Sequence, residues 1–321
     1  MHRRTLLAAL ALPALAQAQA PAAWPNAPTR IIVPYPPGGS NDILARFLAE
    51  ALREHTSQPC IIENRAGAGG NVGADVVAKA APDGHTLLLT APGPLAINHQ
   101  VYRSMPYDPA KDLAPIALVA SVPIVLMVTP SLAAHSVAEL IALAKAQPGR
   151  LSFGSSGNSS TNHLAGELFK VMAGVDLTHI PYRGAAPAMT DLVAGNLAMM
   201  FDNMPGSLPQ IREGRVRALA VAGTRRAAVL PNLPTVAEAG LPGFDAEAWF
   251  GLAAPGATPP ALLQRINATV RATLANPRLL ARFAEAGATA GTLEVEAFAN
   301  FVSAEREKWG RVVRASGARA D

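Results

Sequence analysis

The chain has 321 residues, half of them hydrophobic and 16% charged, too apolar and too weakly charged for an intrinsically disordered protein. At ~100 to 200 residues per domain, this length suggests two domains, each large enough to bury its own core. One cysteine, Cys60, excludes an intrachain disulfide framework or a cysteine-based metal site, and a net charge of +4 with no basic run among aromatics lacks the footprint of a nucleic-acid binder.

The chain opens on a secretory leader, expected over residues 1–20. Met1 to Thr5 is a basic n-region, Leu6 to Leu15 an apolar h-region, and Ala16-Gln17-Ala18 or Ala18-Gln19-Ala20 supplies the small residues of a cleavage site. The apolar run is too short to span ~30 Å of hydrocarbon as a helix, so export is expected rather than anchoring. Arg3-Arg4-Thr5-Leu6-Leu7 also resembles a twin-arginine signal, and both export routes stay open. Without Arg3 and Arg4, 25 basic residues face 23 acidic ones, a net charge of only +2.

Beyond the leader, short apolar runs alternate with amphipathic stretches. Strands are expected at Arg30 to Pro34, Cys60 to Glu63, Thr86 to Thr90, Ile116 to Ala120, Ile124 to Thr129, Leu151 to Ser155, Thr178 to Tyr182, Leu197 to Phe201, Ala218 to Ala222 and Ala248 to Ala253. Between most of them the apolar residues recur at helical spacing, as in Ile43, Leu44, Phe47, Leu48 and Leu52. This is the pattern of an α/β protein with helices covering both faces of its sheets. The chain ends in three expected helices, Pro259 to Asn276, Pro277 to Gly287 and Leu293 to Ala315, with no strands of their own. They need a sheet to cover, which is expected to be that of the first domain. Ile116 to Val128 and Glu247 to Ala254 then become crossings between two lobes, and a natural hinge. The expected division is residues 21–123 with 249–321 in lobe 1 and residues 124–248 in lobe 2.

The informative residues stand where strands end and helices begin. Pro34-Tyr35-Pro36-Pro37-Gly38-Gly39-Ser40-Asn41-Asp42 leads from a strand into a helix whose first amides favour an anion. A turn closed by a cap is the alternative for this loop. A second such loop, Glu63-Asn64-Arg65-Ala66-Gly67-Ala68-Gly69-Gly70-Asn71-Val72-Gly73, departs from the dinucleotide fingerprint because Val72 stands where glycine is required. The two loops together suggest the walls of one carboxylate site, with no cofactor. In the second half, Ser155-Ser156-Gly157-Asn158-Ser159-Ser160-Thr161 offers hydroxyls and an amide before a helix, some of them only as caps. It is not a Gly-x-Ser-x-Gly elbow, since Asn158 replaces the second glycine. His163 and His179 lack a metal-ligand pattern, and His163 is expected to be a partly buried polar residue.

These motifs, with Pro181-Tyr182-Arg183-Gly184, Phe201-Asp202-Asn203 and Leu233-Pro234-Thr235-Val236-Ala237-Glu238-Ala239-Gly240, resemble in order and spacing the Bug family of periplasmic solute receptors. These are the TctC-like substrate-binding proteins of tripartite tricarboxylate transporters. The resemblance implies a type II periplasmic-binding-protein fold, two α/β lobes joined by two crossing hinge strands, with a carboxylate ligand held in the cleft. It implies a monomer in the periplasm that binds without catalysis and hands its ligand to a membrane permease pair, or to a sensor kinase. An exported hydrolase is the other alternative. Carried over residue by residue, the grip falls on Tyr35, Gly38, Gly39 and Ser40, with Ala68 and Gly69 opposite, and on Ser156, Asn158, Thr161, Tyr182, Arg183 and Asp202 from the second lobe. The family often has Thr or Ala where this chain has Ser40-Asn41. Asp202 is left open between pairing with a ligand ammonium and capping a turn.

Overall fold

The protein is described by a computed structural model covering residues 24–320, so the leader lies outside the described residues. Ten strands form one strongly curled mixed sheet whose main path runs β2-β1-β3-β9-β4-β7-β5-β6. One half contains β1 (Thr29–Val33), β2 (Cys60–Asn64), β3 (Thr86–Thr90) and β9 (Glu247–Pro255), with β1 parallel to both β2 and β3 and β9 antiparallel to β3. The other contains β5 (Ser152–Ser155), β6 (Thr178–Pro181), β7 (Met199–Asn203) and β8 (Arg217–Val221), with β5 parallel to β6 and β7.

Strand β4 (Leu113–Val128) belongs to both halves. Its first part pairs antiparallel with β9, from Leu113 opposite Pro255 to Pro123 opposite Glu247. From Ile124 onward its partners are β7 and β8. The sequence suggested two strands here because Ser121-Val122-Pro123 interrupts the apolar run, and proline lacks the N–H a ladder needs. Pro123 instead stands where one partner gives way to the next, so a single strand passes through.

Side-chain alternation on β4 and β7 builds two cores. Ile124, Leu126 and Val128 join Met199 and Phe201 in the larger core, whereas Val125 and Met127 join Met200 in a smaller one with Leu192, Met204 and Leu208. Those last three belong to α6 (Ala185–Ala194) and α7 (Met204–Arg212). In the first half, α1 (Ser40–Thr56) buries Leu44, Leu48 and Leu52, the four-residue spacing of a helix stripe.

The terminal helices are α8 (Pro260–Leu274), α9 (Pro277–Glu285) and α10 (Val295–Ser316), separated after α9 by a short strand, β10 (Thr289–Ala290), that the sequence did not announce. α8 and α9 pack on α1. α10 reaches further than expected, touching both β4 and α5 (Thr161–Ala173) of the other half. Buried Glu305 anchors it, accepting from Trp249 Nε1 on β9 at 2.9 Å and Trp309 Nε1 at 2.8 Å. Cys60 is half-buried and its thiol is pushed up to about 12 by burial.

Candidate ligand-binding site

The loop from β1 to α1 is braced from within. Asp42, in the first turn of α1, accepts from Gly38 N (3.1 Å), Arg46 Nε (2.9 Å) and Asn64 Nδ2 (3.0 Å), and the same amide donates to Tyr35 O at 3.0 Å. Burial raises the Asp42 carboxyl, but Arg46, the Gly38 amide and Asn64 outweigh it and hold it below its usual value. Gly38 has φ +86°, the left-handed region that favours glycine, while Gly39 has φ −83° and becomes the N-cap of α1. Lacking a side chain, Gly39 leaves the α1 amides without a side-chain cap.

Two helices of the second half begin the same way beside it. The N-cap of α6 is Gly184, at φ +125°, and the N-cap of α7 is Asn203; neither supplies a side-chain cap. A Cβ at Gly184 would lie 3.0 Å from the ring of Pro36, so glycine allows the two halves to meet there. The halves also bond across the cleft. Gly206 N in α7 donates to Ser40 Oγ at 3.0 Å, and Ser159 Oγ donates to Asn98 Oδ1 at 2.7 Å.

Two adjoining cavities occupy this junction. A small one of about 30 Å³ is lined by Tyr35, Gly39, Ser40, Asn41, Ser156 and Asn203, among others. Asn41 and Asn203 are only 8% and 7% exposed, and the Oδ1 atom of each is buried without a hydrogen-bond partner. Both are amide oxygens and accept only, so what meets them is a donor, such as a water or a ligand hydroxyl, because an unmet buried polar atom costs ~1 to 3 kcal/mol. The larger cavity, about 350 Å³, shares Gly39, Ala185 and Ala186 with the first and adds Gly38, Met189, Asp202, Gln210 and Arg215. Three helix starts thus turn the positive ends of their dipoles toward one space.

The residues singled out from the sequence fall into three groups. Tyr35, Gly38, Gly39, Ser40, Ser156 and Asp202 line one or both cavities. The phenol of Tyr35 is raised by burial, with a hydrogen bond from Thr90 acting against it. Asp202 is buried, accepts from Asn162 Nδ2 at 2.6 Å and Ser207 Oγ at 3.0 Å, and is pushed up to about 6 by burial despite these donors. Gly69, in a short 3₁₀ turn with Ala68, instead approaches Asn158 of the other half, while Ala68 is exposed and lines neither cavity. A Cβ on Gly69 would come within 2.7 Å of Tyr102 Oη and 3.1 Å of the Asn158 carbonyl, and Gly69 O accepts from Asn98 Nδ2 at 3.1 Å. Thr161, Tyr182 and Arg183 line neither cavity. Thr161 is buried in the first turn of α5, Arg183 is exposed, and Tyr182 Oη donates to Asp191 Oδ2 at 2.5 Å, its phenol held at about 12 by burial and then by Asp191.

Asn41, Asn203, Ala185, Ala186, Gln210 and Arg215 were not singled out. For the first four a signal existed, since each flanks a strand-to-helix loop already noted. Gln210 and Arg215 sit near the far end of a helix, where nothing local marks them.

Ser155 and His179 stand 2.7 Å apart, Oγ to Nε2. The pair is no open nucleophile site: Ser155 is fully buried and its Oγ also donates to Gly157 O at 3.2 Å. His179 stacks on His163, whose Nδ1 accepts from Ser159 N at 3.2 Å. Burial lowers both imidazoles, His163 to about 3 with the neighbouring His179 and Lys170 adding to it, His179 to about 4 with Lys170 adding to it. They are neutral braces beneath the loop that leads into α5.

Comparison with known proteins agrees with this geometry. The family model described as "Tripartite tricarboxylate transporter family receptor" (TctC) matches residues 44–318. Protein BugT of Bordetella pertussis (strain Tohama I) is 40% identical over 297 residues, covering 92% of this chain and 91% of its own length. Among solved structures, R. palustris Rpa4515 with adipate is 41% identical, with a TM-score of 0.90 over 92% of this chain and 99% of that one. MatC (Rpa3494) from Rhodopseudomonas palustris with bound malate is 32% identical, with a TM-score of 0.85 over 90% of this chain and all of that one. With its fold, its cleft and nearly its whole length accounted for in this way, the chain belongs to the TctC family of periplasmic solute-binding proteins.

Proposed function

We propose that this protein captures a small carboxylate-bearing solute between its lobes and presents it to a tripartite tricarboxylate-type transporter. The observation that carries the reading is the meeting of the α1, α6 and α7 starts, none closed by the side chain of its own N-cap residue, around two adjoining cavities between the halves. A carboxylate there gains several charge-assisted hydrogen bonds of ~1.5 to 3 kcal/mol each, and micromolar binding needs only ~8 kcal/mol net. The adipate named with Rpa4515 and the malate named with MatC support the same ligand class. Capture without catalysis fits the buried Ser155 hydroxyl, and no helix among the described residues is long and apolar enough to cross a membrane.

In this reading one lobe is formed by residues 24–123 with 249–320 and the other by residues 124–248, hinged where β4 changes partners and where β9 begins. The Ser40–Gly206 and Ser159–Asn98 bonds belong to the closed form. Mass spectrometry of ligand released from freshly purified protein, followed by calorimetry with that compound, tests the reading. A small carboxylate bound one to one is expected, and small-angle scattering should show a more compact molecule with ligand than without. A stoichiometric nucleotide, or binding that ignores carboxylates altogether, overturns it.

A further inference from the structure

α10 packs beside the short helix α3 (Asn98–Val101), and two adjoining cavities of about 530 and 390 Å³, sharing Gln100 and Arg314, form a groove there. Gln100 is fixed in its wall, with Nε2 donating to Arg306 O at 2.8 Å. Arg103, Arg306, Arg311, Arg314 and Arg319 line the groove, and Glu307 is the one acid among the lining residues. Beyond residues 1–20 the chain carries 25 basic and 23 acidic residues; without these five arginines and Glu307, 20 and 22 remain. The whole excess of positive charge is therefore gathered at this groove.

That charge is also uncompensated. Arg311, Arg314 and Arg319 are exposed and enter no ion pair among the described residues, whereas Arg271, Arg278 and Arg282 on the other two terminal helices pair with Glu294, Glu54 and Glu50. Arg103 is already engaged. Arg306 is half-buried and tethered, its Nε donating to Leu95 O at 2.8 Å and its Nη2 to Pro109 O at 2.9 Å, which leaves Nη1 for a further acceptor. A cation near a helix C-terminus complements the dipole, which accounts for Arg314 in the last turn of α10. It does not account for Arg311, nearly a turn earlier on the same face, or for Arg319 beyond the helix end. Guanidinium groups grip carboxylates two oxygens at a time, and a recess admits a protruding stretch of chain where a flat bilayer surface touches only the rim.

We infer that this groove docks an acidic segment of a partner protein, with Arg311, Arg314 and Arg319 pairing its carboxylates. None of the residues lining it lines either cleft cavity, so the docking surface is separate from solute capture. Fluorescence anisotropy with a labelled hexaglutamate peptide tests it on the mature chain and on the triple variant Arg311→Gln, Arg314→Gln, Arg319→Gln. A second triple variant with the same loss of charge, Arg53→Gln, Arg150→Gln, Arg225→Gln, is the control. All six arginines are exposed, so both variants should fold, and melting curves confirm that. The parent should bind the peptide, with affinity falling as salt is raised to ~0.15 M. The groove variant should bind at least tenfold more weakly, while the control stays within about twofold of the parent and Gly39→Val binds like the parent. No binding by the parent, equal weakening in groove variant and control, or loss of binding in Gly39→Val, which would place the peptide in the cleft, overturns the inference. So does binding of phosphatidylglycerol vesicles through these arginines in preference to the peptide, a result that makes the groove a bilayer contact.

Discussion

Two helix starts on the same chain are built in opposite ways. α4 (Val137–Ala146) begins at Ser136, whose side chain accepts from Glu139 N at 3.2 Å while Glu139 Oε2 accepts from His135 N, just before the cap, at 2.7 Å, so side chains close this start. α1 begins at Gly39, which has no side chain to offer, and its braces all lie behind the loop on Asp42. α5 follows the pattern of α4, with Ser160 Oγ accepting from His163 N at 3.1 Å. A side chain of the N-cap residue also closes α9, whereas α1, α6 and α7, where the halves meet around a cavity, have no such cap, and neither do α8 and α10 away from it.

The largest expected effect is at the open start. Gly39 has an ordinary φ and no atom within 4 Å of a Cβ placed on it, so Gly39→Val should fold normally and project its branches into the cavity. Affinity for the carboxylate identified by mass spectrometry should fall at least a hundredfold, ~3 kcal/mol, with an unchanged melting temperature. Parent-like binding by a folded Gly39→Val protein would remove this loop from the site.

The closed start of α5 is open to a pH test. His163 and His179 have folded pKa values below the unfolded one, so the unfolded chain binds more protons as pH falls, and stability is lost from ~pH 6.5 downward. Urea denaturation at pH 7 and pH 4.5 should show a loss on the order of 2 kcal/mol that is much smaller in the His163→Gln, His179→Gln double variant. An equal loss in both proteins would assign the acid sensitivity to other groups.

Asp42→Asn separates brace from opening at α1. It should cost about 1.5 kcal/mol through weaker bonds to Arg46 and Gly38, measured at neutral pH. Because the Asp42 carboxyl is held low in the folded state, its contribution is present above the unfolded pKa and fades as pH falls through the folded one. The gap between variant and parent should therefore narrow in acid; a gap independent of pH would contradict the brace. Ser136→Ala, at the capped start, should show the smallest effect, ~1 kcal/mol of stability with ligand affinity untouched. Any change in affinity there would break the division between capped and open starts.

The sequence by itself determined the elements and much of their order, because hydrophobic period is a local property. Nine of the ten strands correspond to apolar runs visible in the chain, two of those runs merging as β4, and the helix stripe of α1 is readable from Leu44, Leu48 and Leu52. β10 was invisible, since two residues, Thr289 and Ala290, carry no period. The glycine-rich loop before α1 was legible as a strand-to-helix turn, with an anion site or a capped turn both open, and the structure makes Gly38 and Gly39 part of the larger cavity's lining. What only the tertiary structure decided is which strand-to-helix loops share a space. The Ala68–Gly69 loop looks like its neighbour in sequence, yet Gly69 packs against Asn158 and Tyr102, while Gln210 and Arg215, which no local signal marks, line the larger cavity. A residue's place on a cleft depends on how β4 passes from one set of partners to another and on how far α6 and α7 run beside each other, and those are distances between segments remote in the chain, which no local spacing records.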